Sequence, residues 1–152
     1  MKPLQARLVR RKTSVAVAES CTGGLLATVL TAHGESSAFF RGGAVVYSNE
    51  AKTILADVAP DLIHGHGAVS SVVAGALARG ARERLGAAIG IGITGIAGPG
   101  GATPGKPVGL TYVAIDSDAH SAVKKHEWPF DREGNRLASV GAALDLLEKA
   151  LA

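Results

Sequence analysis

Apolar residues along the chain fall into short continuous runs and longer stretches with helical spacing, and the two kinds alternate. Four small apolar residues at 15–18 predict a buried strand over 14–19. Apolar residues three or four positions apart predict helices over 22–32 and 70–85, and a last helix that starts at Asp131 and runs to the end. The chain therefore begins with the strand–helix alternation of an α/β protein.

The remaining predicted elements complete this pattern. They are a first helix over 1–12, a strand over 39–48, a short helix over 50–57 with Asn49 as its cap, a loop over 63–67, and strands over 87–94, 108–116 and 122–130. Because the last two strands follow one another without a helix, we predict a three-layer α/β/α sandwich on a mixed, mostly parallel sheet. No linker or internal repeat divides the sequence, so residues 1–152 are expected to form one domain.

Composition narrows the class of protein. Hydrophobic residues make up 47% of the chain and charged ones 19%, which excludes a disordered chain. The net charge is +3, with five basic residues within 2–12. The chain lacks a basic stripe interleaved with aromatic residues, the pattern that indicates binding to nucleic acid. No apolar run approaches the ~20 residues that span a bilayer. The only cysteine, Cys21, allows no internal disulfide, so we expect a cytoplasmic protein without a membrane or nucleic-acid partner.

The junction between the first strand and the following helix is the first candidate site. Ser20, Cys21 and Thr22 lie there, followed by Gly23 and Gly24. Backbone N–H groups of a first helical turn are unpaired and the helix dipole favours negative charge, so a nucleophile at this junction would gain an anion hole. Glycine also lets a ligand approach the backbone closely. The alternative for Ser20 is a plain helix cap.

A serine nucleophile needs a base, and Lys52 is the best candidate. Lys52 lies in a helix that follows a strand end at Tyr47, and the carboxyl ends of parallel strands share one edge of a sheet. A lysine acts as a base only when neutral, so its pKa of ~10.4 must fall by about three units through burial or nearby positive charge. Tyr47 could relay or orient a proton. The alternatives are a solvent-facing lysine and a half-buried strand tyrosine.

Two glycine patterns lie later in the chain. Residues 90–95 match the G-x-G-x-x-G fingerprint of dinucleotide-binding folds, but they lie within a strand and lead to Pro99 rather than to a helix. We therefore reject the dinucleotide interpretation. Residues 94–101 instead form a glycine-lined loop whose N–H groups suit a phosphate or a carboxylate.

Two other side-chain groups invite chemical interpretations. His64 and His66 have no evident third ligand, so we interpret them as polar loop residues rather than as a metal site. Cys21 could form a thiol amidase with Glu19 and Lys52. Residues 19 and 21 would then lie on the side of the strand opposite Ser20, so only one set could face the pocket.

Several motifs, in order along the chain, resemble one known family. They are 18–24 (AESCTGG), 42–43 (GG), 46–52 (VYSNEAK), 67–70 (GAVS), 94–101 (TGIAGPGG), 106–109 (KPVG) and 131–133 (DRE). With these motifs the chain resembles the C-terminal domain of the competence/damage-inducible protein family, CinA, from about Ser14 to the end. The resemblance is to the short single-domain form, a nicotinamide-nucleotide amidase. Gly134 departs from the better helix formers that usually fill the first turn of the last helix.

The resemblance implies hydrolysis of the carboxamide of nicotinamide mononucleotide to nicotinate mononucleotide and ammonia, with no metal and no cofactor. It places the family's serine, lysine and tyrosine on Ser20, Lys52 and Tyr47. The residues expected to hold the oxyanion are Cys21, Thr22, Gly23 and Gly24, and those expected to hold the ribose and phosphate are Thr94, Gly98, Gly100, Gly101 and Arg136. A non-catalytic nucleotide-binding or interaction module stays an alternative, as does the Cys21 amidase. A homodimer is also expected.

Overall fold

A five-stranded sheet forms the centre of the protein in the computed structural model, which describes residues 1–152. Its strands are β1 (Val15–Glu19), β2 (Phe40–Val45), β3 (Ile89–Gly95), β4 (Leu110–Ser117) and β5 (Ser121–Glu127). The helices are α1 (Lys2–Arg11), α2 (Leu25–Leu30), α3 (Asn49–Ala56), α4 (Pro60–His66), α5 (Ser71–Arg84) and α6 (Arg132–Ala150).

The strand order is β2-β1-β3-β4-β5. β1 pairs in parallel with both β2 and β3, whereas β4 runs antiparallel to β3 and to β5. Four strands therefore point in one direction and β4 alone is reversed, which confirms the predicted mixed, mostly parallel sheet. Glu19 at the end of β1 pairs with Val45 of β2 and Ile93 of β3, so three carboxyl ends meet at one edge.

Side-chain alternation along β1 separates two cores, one on each face of the sheet. Val15 and Val17 pack on the side of α1, α2 and α6. Ala16 and Ala18 pack on the opposite side, with apolar residues of α3, α4 and α5. Because successive strand residues point to opposite faces, a fully buried strand such as β1 must be covered on both sides. The three-layer α/β/α sandwich is confirmed.

Two glycines of β3 allow α5 to lie directly against the sheet. A Cβ added at Gly90 would lie 1.8 Å from the carbonyl oxygen of Ala78, and one added at Gly92 would lie 2.4 Å from that of Ala74. No side chain fits between these strand positions and the helix backbone. The G-x-G-x-x-G pattern therefore serves close helix–sheet packing, in agreement with the rejection of a dinucleotide site.

Three local predictions are wrong. The predicted loop over 63–67 lies largely in α4, because Pro60 occupies the first helical turn, where its missing N–H costs nothing. α2 begins at Leu25 rather than at residue 22, because residues 21–24 form a turn. The cap of α3 is Ser48 and not Asn49, since Ser48 Oγ accepts a hydrogen bond from the N–H of Ala51 at 3.0 Å.

Candidate active site

Ser20 and Lys52 meet at the edge where β1 and β2 end. Lys52 Nζ lies 3.3 Å from Ser20 Oγ, within hydrogen-bonding distance. Both residues are buried, with 8% of Ser20 and 1% of Lys52 exposed. The solvent-facing alternative for Lys52 is therefore wrong. So is the helix-cap alternative for Ser20, because the cap position of α2 is Gly24.

The surroundings of Lys52 favour its neutral form. No carboxylate lies within 4.0 Å of Nζ, so the amine has no ion-pair partner. Burial lowers the pKa of Lys52 from its ordinary value, because the charged form loses its hydration. The carbonyl oxygens of Val46 and Tyr47 lie 2.9 and 3.4 Å from Nζ. They can accept the two protons of a neutral amine, which leaves the lone pair free to face Ser20 Oγ.

Backbone hydrogen bonds between neighbouring strands fix the positions of the two side chains. The N–H of Ser20 donates to Ile93 O of β3 at 3.0 Å, and the N–H of Val46 donates to Glu19 O at 2.8 Å. Val46 is thus joined to the strand that carries Ser20, while its own carbonyl accepts from Lys52. The Ser20 hydroxyl and the Lys52 amine are held by a continuous set of main-chain contacts rather than by flexible loops.

The turn after Ser20 offers three of the four free backbone donors expected from the sequence, although they lie in a turn and not in the first turn of α2. The N–H groups of Leu26 and Ala27, in the first turn of α2, donate to the carboxylate of Glu19 at 3.0 and 2.8 Å. They are therefore unavailable to a ligand, which corrects the expectation for this helix. The N–H groups of Cys21, Thr22 and Gly24 donate to no oxygen of the protein. The turn, and not the helix, holds the free donors.

These residues open into a cavity of ≈ 260 Å³. Of the predicted site residues, those that line it are Ser20, Cys21, Tyr47, Lys52, Thr94, Gly98, Gly100 and Gly101. Thr22, Gly23, Gly24 and Arg136 do not line this cavity. Asn49 and Arg132 do line it and were not predicted to. The signal for both was present in the motifs at 46–52 and 131–133.

Arg132 links the two sides of the cavity. Its Nη2 donates to Tyr47 Oη at 3.1 Å and its Nη1 donates to Gly98 O at 2.8 Å. The guanidinium has no carboxylate within 4.0 Å, so its charge is not neutralised by the protein. Tyr47 is 60% exposed, so its ring lies at the mouth of the cavity and not within the sheet. The half-buried strand alternative for Tyr47 is wrong.

Arg136 lies one helical turn further along α6, against the turn over residues 21–24 that follows Ser20. Its Nη2 donates to Thr22 O at 3.1 Å and lies close to Gly23. Its Nε is buried without a hydrogen-bond partner, as is Thr22 Oγ1. Arg136 lines the neighbouring cleft between α6 and Pro99, which Arg132 also borders. The predicted contact of Arg136 with a phosphate stays a prediction.

The glycine-rich loop that follows β3 is anchored from both sides. Thr94 Oγ1 donates to Ala68 O at 2.8 Å, and Asn135 Nδ2 of α6 donates to Ala97 O at 3.0 Å. Gly98 adopts a φ of +88°, which favours glycine, and an added Cβ would lie 2.5 Å from Val108. The loop is thus a fixed wall of the cavity whose backbone a ligand can approach.

The Cys21 alternative finds little support in this geometry. Cys21 and Ser20 both line the cavity, so the expectation that only one could face it is wrong. Burial raises the pKa of the Cys21 thiol to about 11, which keeps it protonated near neutral pH. Both oxygens of Glu19 accept from α2, so this carboxylate is not placed to activate the thiol.

The two histidines lie away from this chemistry. His64 and His66 are exposed in the last turn of α4, and no group of three His, Cys, Asp or Glu side chains is placed to hold a metal ion. None of the helices has the length and apolar character required to cross a membrane.

Comparisons with known proteins agree with one another. The family model of the CinA C-terminal domain matches residues 1–151. CinA-like proteins of Acidobacterium capsulatum and Koribacter versatilis are 52% and 53% identical over 144 residues, which is 95% of this chain and 35% of each relative. The chain thus spans about a third of the length of these curated relatives.

Solved structures of similar length share the fold. A CinA superfamily protein from Escherichia coli is 32% identical, with a TM-score of 0.93 over 97% of this chain and 86% of that one. The competence/damage inducible protein CihA from Agrobacterium tumefaciens is 37% identical, with a TM-score of 0.91 over 99% of this chain and 94% of that one. By sequence and by fold, this chain belongs to the CinA C-terminal domain family.

Proposed function

We propose that this protein hydrolyses the carboxamide of nicotinamide mononucleotide, giving nicotinate mononucleotide and ammonia. The observation that carries the proposal is the distance of 3.3 Å between Lys52 Nζ and Ser20 Oγ. Both side chains are buried, and the amine has no ion-pair partner. Burial lowers the pKa of this amine and so favours its neutral form, which can remove the proton of a serine, whose hydroxyl is a weak nucleophile by itself. The choice of substrate rests on the family resemblance.

The first chemical step is attack of Ser20 Oγ on the amide carbon. Lys52 Nζ takes the hydroxyl proton as the new C–O bond forms. The resulting ammonium keeps three acceptors within reach, namely Ser20 Oγ and the carbonyl oxygens of Val46 and Tyr47. Because these groups are fixed before the reaction, stabilising the new charge requires no reorganisation of the site.

The tetrahedral intermediate carries a negative charge on the former carbonyl oxygen. The turn after Ser20 has free N–H groups at Cys21, Thr22 and Gly24, and that of Cys21, which lines the cavity, is the first candidate donor for it. Removing one such donor typically lowers kcat by about 10²–10³-fold. Their assignment refines the expectation from the sequence, which also included Gly23; the N–H of Gly23 donates instead to Ser20 O at 3.1 Å.

Ammonia leaves when the C–N bond breaks, and its nitrogen receives the proton stored on Lys52. Tyr47 is a second proton donor at the cavity mouth, because its oxygen accepts from Arg132 and its own hydrogen remains free. Water then attacks the acyl-enzyme, with Lys52 again as base, and releases the carboxylate product. The uncompensated charge of Arg132 makes it, together with Arg136, a candidate contact for the substrate phosphate.

The test is ammonia release from nicotinamide mononucleotide in the presence of a chelator, with the product identified by mass. Wild type is expected to form stoichiometric nicotinate mononucleotide, and Ser20→Ala to lose about 10³-fold or more in kcat. Ser37→Ala is the matched control, because Ser37 is exposed and precedes the start of β2, at the opposite end of that strand from the cavity. Nucleotide binding with no product from wild type would refute the amidase and support the binding-module alternative.

A further inference from the structure

Glu19 is a buried carboxylate without a cation. It is the last residue of β1, directly before Ser20, and only 1% of it is exposed. No lysine, arginine or histidine nitrogen lies within 4.0 Å of its oxygens. Its two oxygens instead accept from the backbone N–H groups of Leu26 and Ala27. A buried charge is costly unless it is hydrogen-bonded, so these two contacts are its compensation.

The same contacts supply a cap that α2 otherwise lacks. The helix has only six residues, and its N-cap position is Gly24, which has no side chain to accept from the first turn. A helix this short is marginal by itself and depends on contacts from the rest of the fold. The carboxylate of Glu19 meets two of its orphan donors, and it reaches them across the turn that contains Ser20.

The turn over residues 20–24, which carries Ser20, is therefore held by hydrogen bonds at both ends. At its start, the N–H of Ser20 donates to Ile93 O of β3. At its end, α2 is held to Glu19, seven and eight residues back along the chain. Between these points lie Gly23 and Gly24, with φ values of +58° and +98°. Glycine is the most flexible residue of the backbone, so the turn depends on the contacts at its two ends to hold its conformation.

We propose that Glu19 is a positioning residue for the Ser20 nucleophile and for the free N–H groups of Cys21, Thr22 and Gly24. The inference rests on the proposed function only in taking Ser20 as the nucleophile. Glu19 acts through α2, because its oxygens accept from the backbone of that helix, whereas it makes no hydrogen bond to Ser20 Oγ and does not line the cavity. Its role is to set where the hydroxyl and the anion donors stand relative to one another.

Two substitutions separate the reach of the side chain from its charge. Glu19→Gln keeps the length but offers one acceptor oxygen, and its amide N–H₂ then opposes a backbone N–H of α2. Glu19→Asp keeps the charge but is one methylene shorter and cannot meet both donors. Positioning predicts that both variants are impaired. A purely electrostatic role predicts that Glu19→Asp resembles wild type.

The experiment is the rate at which an alkyl fluorophosphonate labels Ser20 in the whole protein. In this reaction the Ser20 Oγ–P bond forms, the P–F bond breaks with loss of fluoride, and Lys52 takes the proton. Asp116→Asn is the matched control. Asp116 is also a buried carboxylate, held by Arg82 and Ser121, but it pairs with Gly90 at the opposite end of β3. Rates are normalised to the folded fraction of each variant.

Per folded molecule, Glu19→Gln and Glu19→Asp are expected to label about 10- to 100-fold more slowly than wild type, and Asp116→Asn within about threefold of it. Binding of nicotinate mononucleotide, measured by calorimetry, is expected to change little in the Glu19 variants. Labelling of either Glu19 variant at the rate of Asp116→Asn would overturn the proposal, as would wild type that is not labelled. Wild type that is labelled but releases no ammonia would contradict the amidase alone.

Discussion

Ser20 and Lys52 should act as one unit, and a double-mutant cycle measures this directly. Lys52→Met preserves the length of the side chain while removing the amine. Within the cavity no other base stands ready for the Ser20 proton, because the Cys21 thiol has a pKa of about 11 and Glu19 does not line the cavity. We therefore expect Lys52→Met to lower kcat for ammonia release by about 10³-fold, near the middle of the range for a lost general base.

The cycle converts these losses into a coupling energy. A 10³-fold loss corresponds to ~4 kcal/mol of transition-state free energy, and Ser20→Ala is expected to lose at least as much. Independent contributions would add to ~8 kcal/mol in the double mutant. If the two groups perform a single step, the double mutant loses about as much as Ser20→Ala alone, a coupling of ~4 kcal/mol.

The assay is steady-state ammonia release from nicotinamide mononucleotide, with product affinity measured separately so that binding and chemistry are resolved. Lys125→Met is the matched control, because Lys125 is an exposed lysine whose contact is the surface ion pair with Glu127. Two results would refute the reasoning. One is additive losses in the double mutant, and the other is a Lys52→Met enzyme with kcat close to that of Lys125→Met.

Four further outcomes are expected. Alkylation of Cys21 by iodoacetamide at pH 8 should be slow, since a pKa of about 11 leaves roughly a thousandth of the thiol ionised. Cys21→Ala should keep most of the activity. Rapid labelling of Cys21 with loss of activity would instead support the thiol mechanism. Gly90→Ala should lower the free energy of unfolding in urea by about 3 kcal/mol or more, because the added Cβ would clash with Ala78 O. Gly141→Ala, where the added Cβ has open space around it, should stabilise α6 by about 1 kcal/mol. If the neutral form of Lys52 is the base, as proposed, kcat/KM should rise with pH with a midpoint below 10.5, because burial lowers the pKa of this amine. The free energy of unfolding should rise with pH between the folded pKa of Lys52 and 10.5, where only the unfolded chain binds the proton; falling stability across that window would contradict the burial of a neutral amine.

Local sequence patterns were enough to predict most of the fold and the centre of the site, which is Ser20 and Lys52. The run at 15–18 and the predicted strand end near Tyr47, which the structure places at Val45, sufficed to place Ser20 and Lys52 at one sheet edge, because parallel strands bring their carboxyl ends together. What the sequence could not convey was the path of the Glu19 side chain. Its contact with α2 depends on tertiary packing, and it takes up the N–H groups of Leu26 and Ala27, so that the free N–H groups are those of the preceding turn.

The arginines show a second limit of sequence reasoning. Arg132 and Arg136 are four residues apart and lie on nearly the same face of α6, so spacing could not decide which of them reaches the cavity. They differ in position along the helix axis: Arg132, in the first turn, reaches Gly98 and Tyr47 at the cavity, whereas Arg136, one turn later, reaches Thr22. Gly134, a departure in the motif, is required there, because an added Cβ would lie 2.6 Å from Phe130.

The most direct test is the protonation state of Lys52 in the folded protein. With lysine labelled at Nζ and Cε, an NMR titration follows this amine while exposed lysines such as Lys125 provide an internal reference. The mechanism predicts that Lys52 titrates clearly below its ordinary value of 10.5 and that the same pKa governs the rise of kcat/KM. Titration at or above 10.5 would mean an ammonium beside Ser20 at neutral pH, which cannot serve as its base.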